Sequence, residues 1–247
     1  MDREITIDQV IGARIDRVIA DLAERQHGIV ARLQLLALGV GRGAIDHRLA
    51  CGRLHLVHPG VYAVGHRVLS KAAWWMAAVL ASGDGAVLSH RAAGARWGLR
   101  QSSGQRIEVT VPRRRYSRPG IQPHVAQLPA DEVTVVEGIP VTTPPRTLLD
   151  LAAVLPLHAL RRSVNEAEVL RLSDPLSLAD LLARHPRRSG VADLRRIVEE
   201  GHIGATITAA SSRIASSSSS TLPGFPARSS TPASEVWRST SHGARSG

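Results

Sequence analysis

An α+β fold is predicted for this 247-residue chain: an amino-terminal helical module closed by a small β-ribbon, then a mixed α/β domain with an antiparallel sheet, then a disordered tail. Three observations carry that prediction. Apolar residues recur at helical spacing up to Cys51 and give way to two short alternating runs about the corner Pro59-Gly60. Between about Leu69 and Gly201, four alternating segments lie among helical stretches. After Gly204, Ser, Ala, Thr and Arg dominate and neither period survives. The domain boundaries that follow are 1–66, 67–203 and 204–247.

Each element has its own reason. Ile11, Ile15, Val18, Ile19 and Leu22 form the apolar stripe of a first helix ending near His27-Gly28. A second helix, "VARLQLLALG", stops at Gly39, which adopts the left-handed closing conformation without a side-chain penalty. In the third, Gly41 to Cys51, Ile45 and Leu49 point inward one turn apart, which turns Gly43 and His47 outward with Arg42 and Arg48 on the shoulders. Asp46 is expected to hold Arg42, four residues back. Gly52 ends the helix, and strands at Leu54 to Val57 and Val61 to Val64 follow.

Three helices, the second and third meeting at a tight corner, plus a two-stranded ribbon spell a winged helix-turn-helix. Its third helix has the shape to enter a DNA major groove while the ribbon lies on the adjacent backbone. Arg42 and Arg48 are assigned phosphate or guanine contacts, and Gly43 close backbone approach. His47 is assigned a base-edge or phosphate hydrogen bond, and Arg53, His55 and His58 wing contacts to phosphate. The same pattern also fits a protein-binding winged module. A formal charge of +10, carried almost wholly by arginine, favours phosphate-rich partners, hence double-stranded DNA. A dimer is implied if the DNA sites are two-fold, although no dimer helix is evident.

In the second domain, "KAAWWMAAVLAS" is a buried helix, and "AVLSHRAAGARWGL" a strand and a helix that Ser89 caps. "RIEVTVP", "GIQPHVA", "DEVTVVEG" and "IPVTT" are strands, and "PRTLLDLAAVL" opens a helix on its prolines. Further helices lie at 157–170, 177–184 and 190–200.

Candidates for chemistry here are few. Ser89 and His90 are adjacent, so their side chains are expected to diverge rather than form a nucleophile–base pair. Asp131-Glu132 decorate a turn, and Arg146 with Asp150 make an intrahelical ion pair. His90, His124, His158 and His185 lack zinc-ligand spacing, and the only cysteine is Cys51. No cofactor, metal or catalytic residue is therefore expected. The basic run Arg184 to Gly190 is taken as a solvated loop. The run with Arg113, Arg114, Arg115 and Arg118 is placed at a hairpin tip, an auxiliary DNA contact. The first residues show no apolar signal core, and the longest apolar run, Ala72 to Ala81, is too short to span a bilayer. A soluble cytoplasmic protein without membrane partners is expected.

The segment from about Ala23 to Val64, "GIVARLQLLALGVGRGAIDHRLACGRLHLVHPGVYAV" within it, resembles the winged-helix domain of AbiEi-type antitoxins, the regulator half of type IV toxin–antitoxin systems. "SHRAAGARWGL" and "IPVTTPPRTLLDLA" resemble the middle segment of the same group. The resemblance implies binding to DNA repeats, repression of the protein's own operon and a nucleotidyltransferase-like toxin encoded beside it. Gly41 stands where the family usually has the better cap Ser or Thr.

The tail admits a separate reading. With GC-rich codons, the stretch after Ala210 read one base out of phase spells approximately "ELEDRFLVFLDAAGLPRPELNA", which has helical spacing and a Gly-Leu-Pro stop. A frameshift near residue 205 is inferred. The restored peptide resembles the entry to a very-short-patch-repair-endonuclease-like domain, whose carboxylates and lysine are not encoded before Gly247. The alternative function is thus a truncated endonuclease that retains only DNA recognition.

Overall fold

The computed structural model describes residues 7–101, 105–113, 118–172 and 175–201. The tail from residue 202, with the frameshift reading, lies outside them, as do Arg114 and Arg115.

The chain opens with α1 (Ile7–Glu24), β1 (Ile29–Ala31), α2 (Arg32–Ala37), α3 (Arg42–Ala50), β2 (Leu54–His58) and β3 (Val61–Val64). β1 was not expected. Helical periodicity runs through "GIVARL" without a break, but Ile29 to Ala31 pair antiparallel with Ala63 to Val61, a tertiary partner that local spacing does not reveal. The small sheet is antiparallel throughout, in the order β1-β3-β2. Gln34 Oε1 accepts the Ala31 N–H at 2.8 Å and so satisfies one donor at the start of α2. Ile19, Ala23, Val30, Leu35, Val40, Ile45, Leu54 and Tyr62 close a core beneath these elements.

Next comes α4 (Lys71–Ser82), capped by Ser70, whose Oγ accepts the Ala73 N–H at 3.1 Å. Its sequence has no polar face, and it is buried along most of its length. Ile29, Val61 and Ala63 of the small sheet cover one side, and Leu88, Val109, Ile139 and Val141 of a larger sheet the other, so a single core runs through both.

The larger sheet is built from β4 (Val87–Leu88), β5 (Ile107–Val111), β6 (Ile121–Val125), β7 (Val133–Val136) and β8 (Ile139–Thr142), in the order β6-β5-β4-β8-β7. The expected antiparallel pairing occurs between β4 and β5 and between β7 and β8. β4–β8 and β5–β6 run parallel, the latter from Ile107↔Ile121 to Val111↔Val125. Because β5 and β6 run parallel, the basic run between them does not close a hairpin, contrary to the expected hairpin tip.

Helices α5 (His90–Arg96) and α6 (Pro144–Ala152) pack on one another. With α7 (Leu157–Val169), α8 (Pro175–Arg184) and a last helix α9 over residues 191–201, α6 encloses a second apolar core that includes Leu99, Leu148, Leu151, Leu160 and Leu194.

The amino-terminal elements and the larger sheet meet at a tight joint. His27 Nε2 donates to Glu137 O at 2.8 Å. Gly138, at φ +78°, passes so close to the backbone of α1's exit that a Cβ would lie 2.6 Å from Arg25 O. Gly138→Ala combines a left-handed backbone with that clash, and it is expected to cost roughly 2–3 kcal/mol or more. Chemical denaturation of the variant checks this; an unchanged midpoint would mean that the joint is loose.

Candidate functional site

The third helix presents two unlike faces. Ile45 is fully buried, whereas Arg42, Gly43, Asp46 and His47 are exposed. Cβ atoms built on Gly41 and Gly43 would meet nothing within 4 Å, so the amino-terminal half of α3 fronts open space.

Arg48 does not join that face, contrary to expectation. It is 7% exposed; its Nε and Nη2 approach Asp16 Oδ1 of α1 at 2.9 and 2.8 Å, and its Nη1 donates to Ala44 O at 3.0 Å. Position 48 is three residues beyond Ile45, close enough to the buried stripe for the stem to fold inward where a carboxylate waits. Arg53 reaches the same carboxylate, Nη1 to Oδ2 at 2.7 Å, with its side chain 64% exposed. Asp16 thus pins α1 to α3 and to the base of the ribbon, a role no local spacing signalled. Asp46 also departs from expectation: it faces Arg32 at 3.8 Å rather than Arg42.

On the ribbon, His55 Nδ1 accepts from Arg67 Nε at 3.3 Å. His58 is half-buried, edge-on to Trp74 with ring centroids 6.5 Å apart. Burial first, and then the charge of Arg118, lower its pKa. Arg118 Nη1 donates to Pro59 O at 3.0 Å, which ties the basic crossover to the turn of the ribbon, and Arg113 is exposed.

A second constellation lies inside the larger sheet, and it gathers the groups the sequence had offered singly. Ser89 and His90 do not diverge: His90 sits at φ +50°, a left-handed backbone that swings its Nδ1 to 3.0 Å from Ser89 Oγ. Thr110 Oγ1 donates to Ser89 Oγ at 2.8 Å, so Ser89 does not cap α5. Glu108 of β5 takes that role, accepting the Arg91 N–H at 2.8 Å and Arg91 Nη1 at 3.0 Å. His124 of β6 lies 3.3 Å from Glu108 and stacks on His90, centroids 3.6 Å apart.

Asp150 Oδ1 accepts from Arg146 Nε at 3.0 Å, the expected intrahelical pair, and from Arg188 Nη2 at 2.7 Å. Arg146 Nη1 also donates to Glu132, which His185 approaches at 2.8 Å. Asp131 stays outside and pairs with Arg184 at 2.7 Å. The run Arg184 to Gly190 is therefore not a solvated loop: three of its members reach carboxylates of the turn before β7 and of α6. Gly190, where a Cβ would lie 2.1 Å from Ala152 O, brings this loop against the end of α6.

These groups do not compose a nucleophilic relay. Such a relay needs the nucleophile and the orienting acid on different imidazole nitrogens, but Ser89 Oγ and Asp150 Oδ2, the latter at 4.0 Å, both face His90 Nδ1. Ser89 is also fully buried. No cluster of three or more His, Cys, Asp or Glu suited to a metal occurs among the described residues. The sequence did carry a signal for the missed Glu108, a charge that interrupts the strand "RIEVTVP", whereas Arg146 and Asp150 are already read as a pair.

The electrostatics fix a pH dependence. Burial, reinforced by His124 and nearby guanidiniums, lowers the His90 pKa from 6.5 to about 2. The unfolded chain takes up this proton below pH 6.5 and the folded chain does not. Stability is therefore expected to fall as pH drops below 6.5, by up to about 1.4 kcal/mol per pH unit for this one group. Hydrogen bonds from His124 and Arg91 hold Glu108 below its ordinary 4.5 against burial, and those from His185 and Arg146 do the same for Glu132. Their contribution is complete above pH 4.5 and is lost as pH falls toward their folded values, which steepens the decline. Asp150 opposes them, because burial pushes its carboxyl up against the pull of Arg146 and Arg188. Urea midpoints measured from pH 7 to pH 4 test this. His90→Asn, which keeps a residue tolerant of the left-handed backbone, should flatten the slope between 6.5 and 4.5; an equal slope in both proteins would contradict it.

Comparison with known proteins gives a family match over part of the chain. A crystal structure described as that of the RV2827C protein from Mycobacterium tuberculosis resembles the chain at 20% identity and a TM-score of 0.46, covering 81% of this chain and 79% of that one. No curated protein gives a significant match. Residues 85–200 match the family model of the AbiEi antitoxin C-terminal domain, and every member of the buried constellation falls within that match.

Proposed function

We propose that the chain is a non-catalytic, DNA-binding transcriptional regulator of the toxin–antitoxin type, in which residues 1–66 act as a winged helix-turn-helix and repress their own operon. The antitoxin-like segment at residues 85–200 supports the regulatory context. The observation that carries the DNA-binding part is the open, small outer face of α3, where Arg42, Gly43 and His47 are exposed beside Asp46, with the ribbon β2–β3 next to it.

On this reading α3 enters the major groove amino-terminus first, Gly43 lets the backbone approach, and Arg42 and His47 reach base edges or phosphate. Arg53 can exchange Asp16 for a phosphate because its side chain is largely exposed, whereas Arg48 stays inside and fixes the helix angle. Arg113 and Arg118 extend the cationic surface beyond the wing turn. A second copy bound on the other half of a two-fold site and a toxin encoded nearby belong to the same proposal.

The test is a mobility shift on duplex DNA from upstream of the gene, repeated across salt concentrations. Retention should fall steeply with salt, and Arg42→Ala should reduce the log–log slope by about 1, as expected for losing one phosphate or base contact. Arg48→Ala should instead lower thermal stability together with affinity. Flat salt dependence, or full retention in an Arg42→Ala, His47→Ala double variant, would move DNA recognition off α3 altogether.

A further inference from the structure

The ribbon has an open side whose chemistry differs from that of the DNA-facing surface. β2 is the outer strand of the small sheet. Gly65 N–H donates to Arg53 O at 3.0 Å, which makes this a bonded pair of the ladder. Antiparallel alternation then turns the N–H and C=O of Leu54 and Leu56 away from β3, toward the free edge.

Along that edge runs a groove of about 440 Å³, lined by Leu49 of α3, Leu54, Leu56 and Val57 of β2, Leu69, and Trp74 of α4. Leu56 and Trp74 are 65% and 44% exposed. The polar wall is His55 with Arg67, and among the described residues no carboxylate lines the groove. Unpaired backbone beside apolar pockets is the arrangement by which a sheet accepts an extended peptide as an added strand.

We infer that this edge is a docking site for an extended, acidic segment of another protein, which pairs with Leu54 and Leu56 while an Asp or Glu meets Arg67. Two features select this occupant over a second copy of the chain. Self-pairing would bring two Arg67 side chains into one groove, and the ladder irregularity between Leu56 and His58 limits the open edge to a short stretch. The site does not depend on whether α3 reads DNA.

Selection of displayed random eight-residue peptides on the full chain tests the inference. The expected winners alternate apolar residues, carry at least one acid, slow amide exchange at Leu54 and Leu56, and lose at least tenfold in affinity to Leu56→Pro and to Arg67→Glu. Proline deletes the outward N–H of an edge strand that otherwise tolerates it. Leu56→Ala keeps that N–H and should lose less affinity than Leu56→Pro. If Leu56→Pro fails to fold, Arg67→Glu and amide exchange still decide. Enrichment of basic peptides, no enrichment, or equal binding to the parent and Arg67→Glu overturns the inference. So does sedimentation showing a dimer of the chain that Leu56→Pro or Arg67→Glu dissolves.

Discussion

The architecture depends on the need to cover α4. A twelve-residue helix whose ten residues between Lys71 and Ser82 are all Ala, Trp, Met, Val or Leu has no polar side and cannot rest on one surface. The small sheet closes one flank and the larger sheet the other, so Ile29 and Val61 share a core with Val109 and Val141. The consequence is mechanical. The ribbon and third helix are not hung on a linker but packed through α4 onto the larger sheet, with His27, Gly138 and Arg118 adding contacts around the joint. A change in the larger sheet would reach the outer face of α3 through packed side chains rather than through a flexible tether.

The larger sheet holds charge in its interior, a costly choice that apolar residues could replace without loss of stability. Glu108, Glu132 and Asp150 are buried, and Arg146 is 1% exposed. Each carboxylate meets at least one guanidinium, but Arg146 Nη2 and Asp150 Oδ2 are left without hydrogen-bond partners among the described residues. The network joins β5, the turn before β7, α6 and the loop after α8, elements that belong to two separate apolar cores. What such a network supplies is direction: apolar contacts between two cores tolerate sliding, whereas an arginine shared by two carboxylates does not. Removing one partner would strand the others in a low-dielectric interior, at a cost of about 3–5 kcal/mol.

Local pattern carried most of the elements and much less of their company. Ile45 and Leu49 identified the inward side of α3, and Pro144-Pro145 the start of α6, because both are decided within one turn of chain. β1 was missed because three residues become a strand only when β3 lies beside them. The strand directions of the larger sheet were beyond reach for the same reason, since β5 and β6 read alike whether parallel or antiparallel. The site residues divide along this line. Gly43 and His47 follow from helical phase. The inward turn of Arg48 required Asp16, 32 residues away in sequence, and the meeting of Ser89 with His90 required a left-handed backbone that nothing in the dipeptide announces.

The fate of the arginines bears on how strongly a single chain can hold a duplex. A formal charge of +10 suggests a broad cationic surface, yet Arg48 is buried on Asp16, Arg53 shares that carboxylate, Arg32 faces Asp46, and Arg91, Arg146, Arg184 and Arg188 serve internal carboxylates. If α3 and the ribbon meet DNA as proposed, the described cations beside them that no carboxylate neutralises include Arg42 and Arg113, with Arg53 available by exchange and Arg118 at the ribbon turn. Each phosphate neutralised contributes about 0.9 to the salt slope, so a module using three or four has a slope of only about −3 to −4. On the proposed reading, binding of that size is weak at physiological ionic strength, so occupancy of one DNA site would call for several modules acting together, through repeated sites, a second copy or a bound partner.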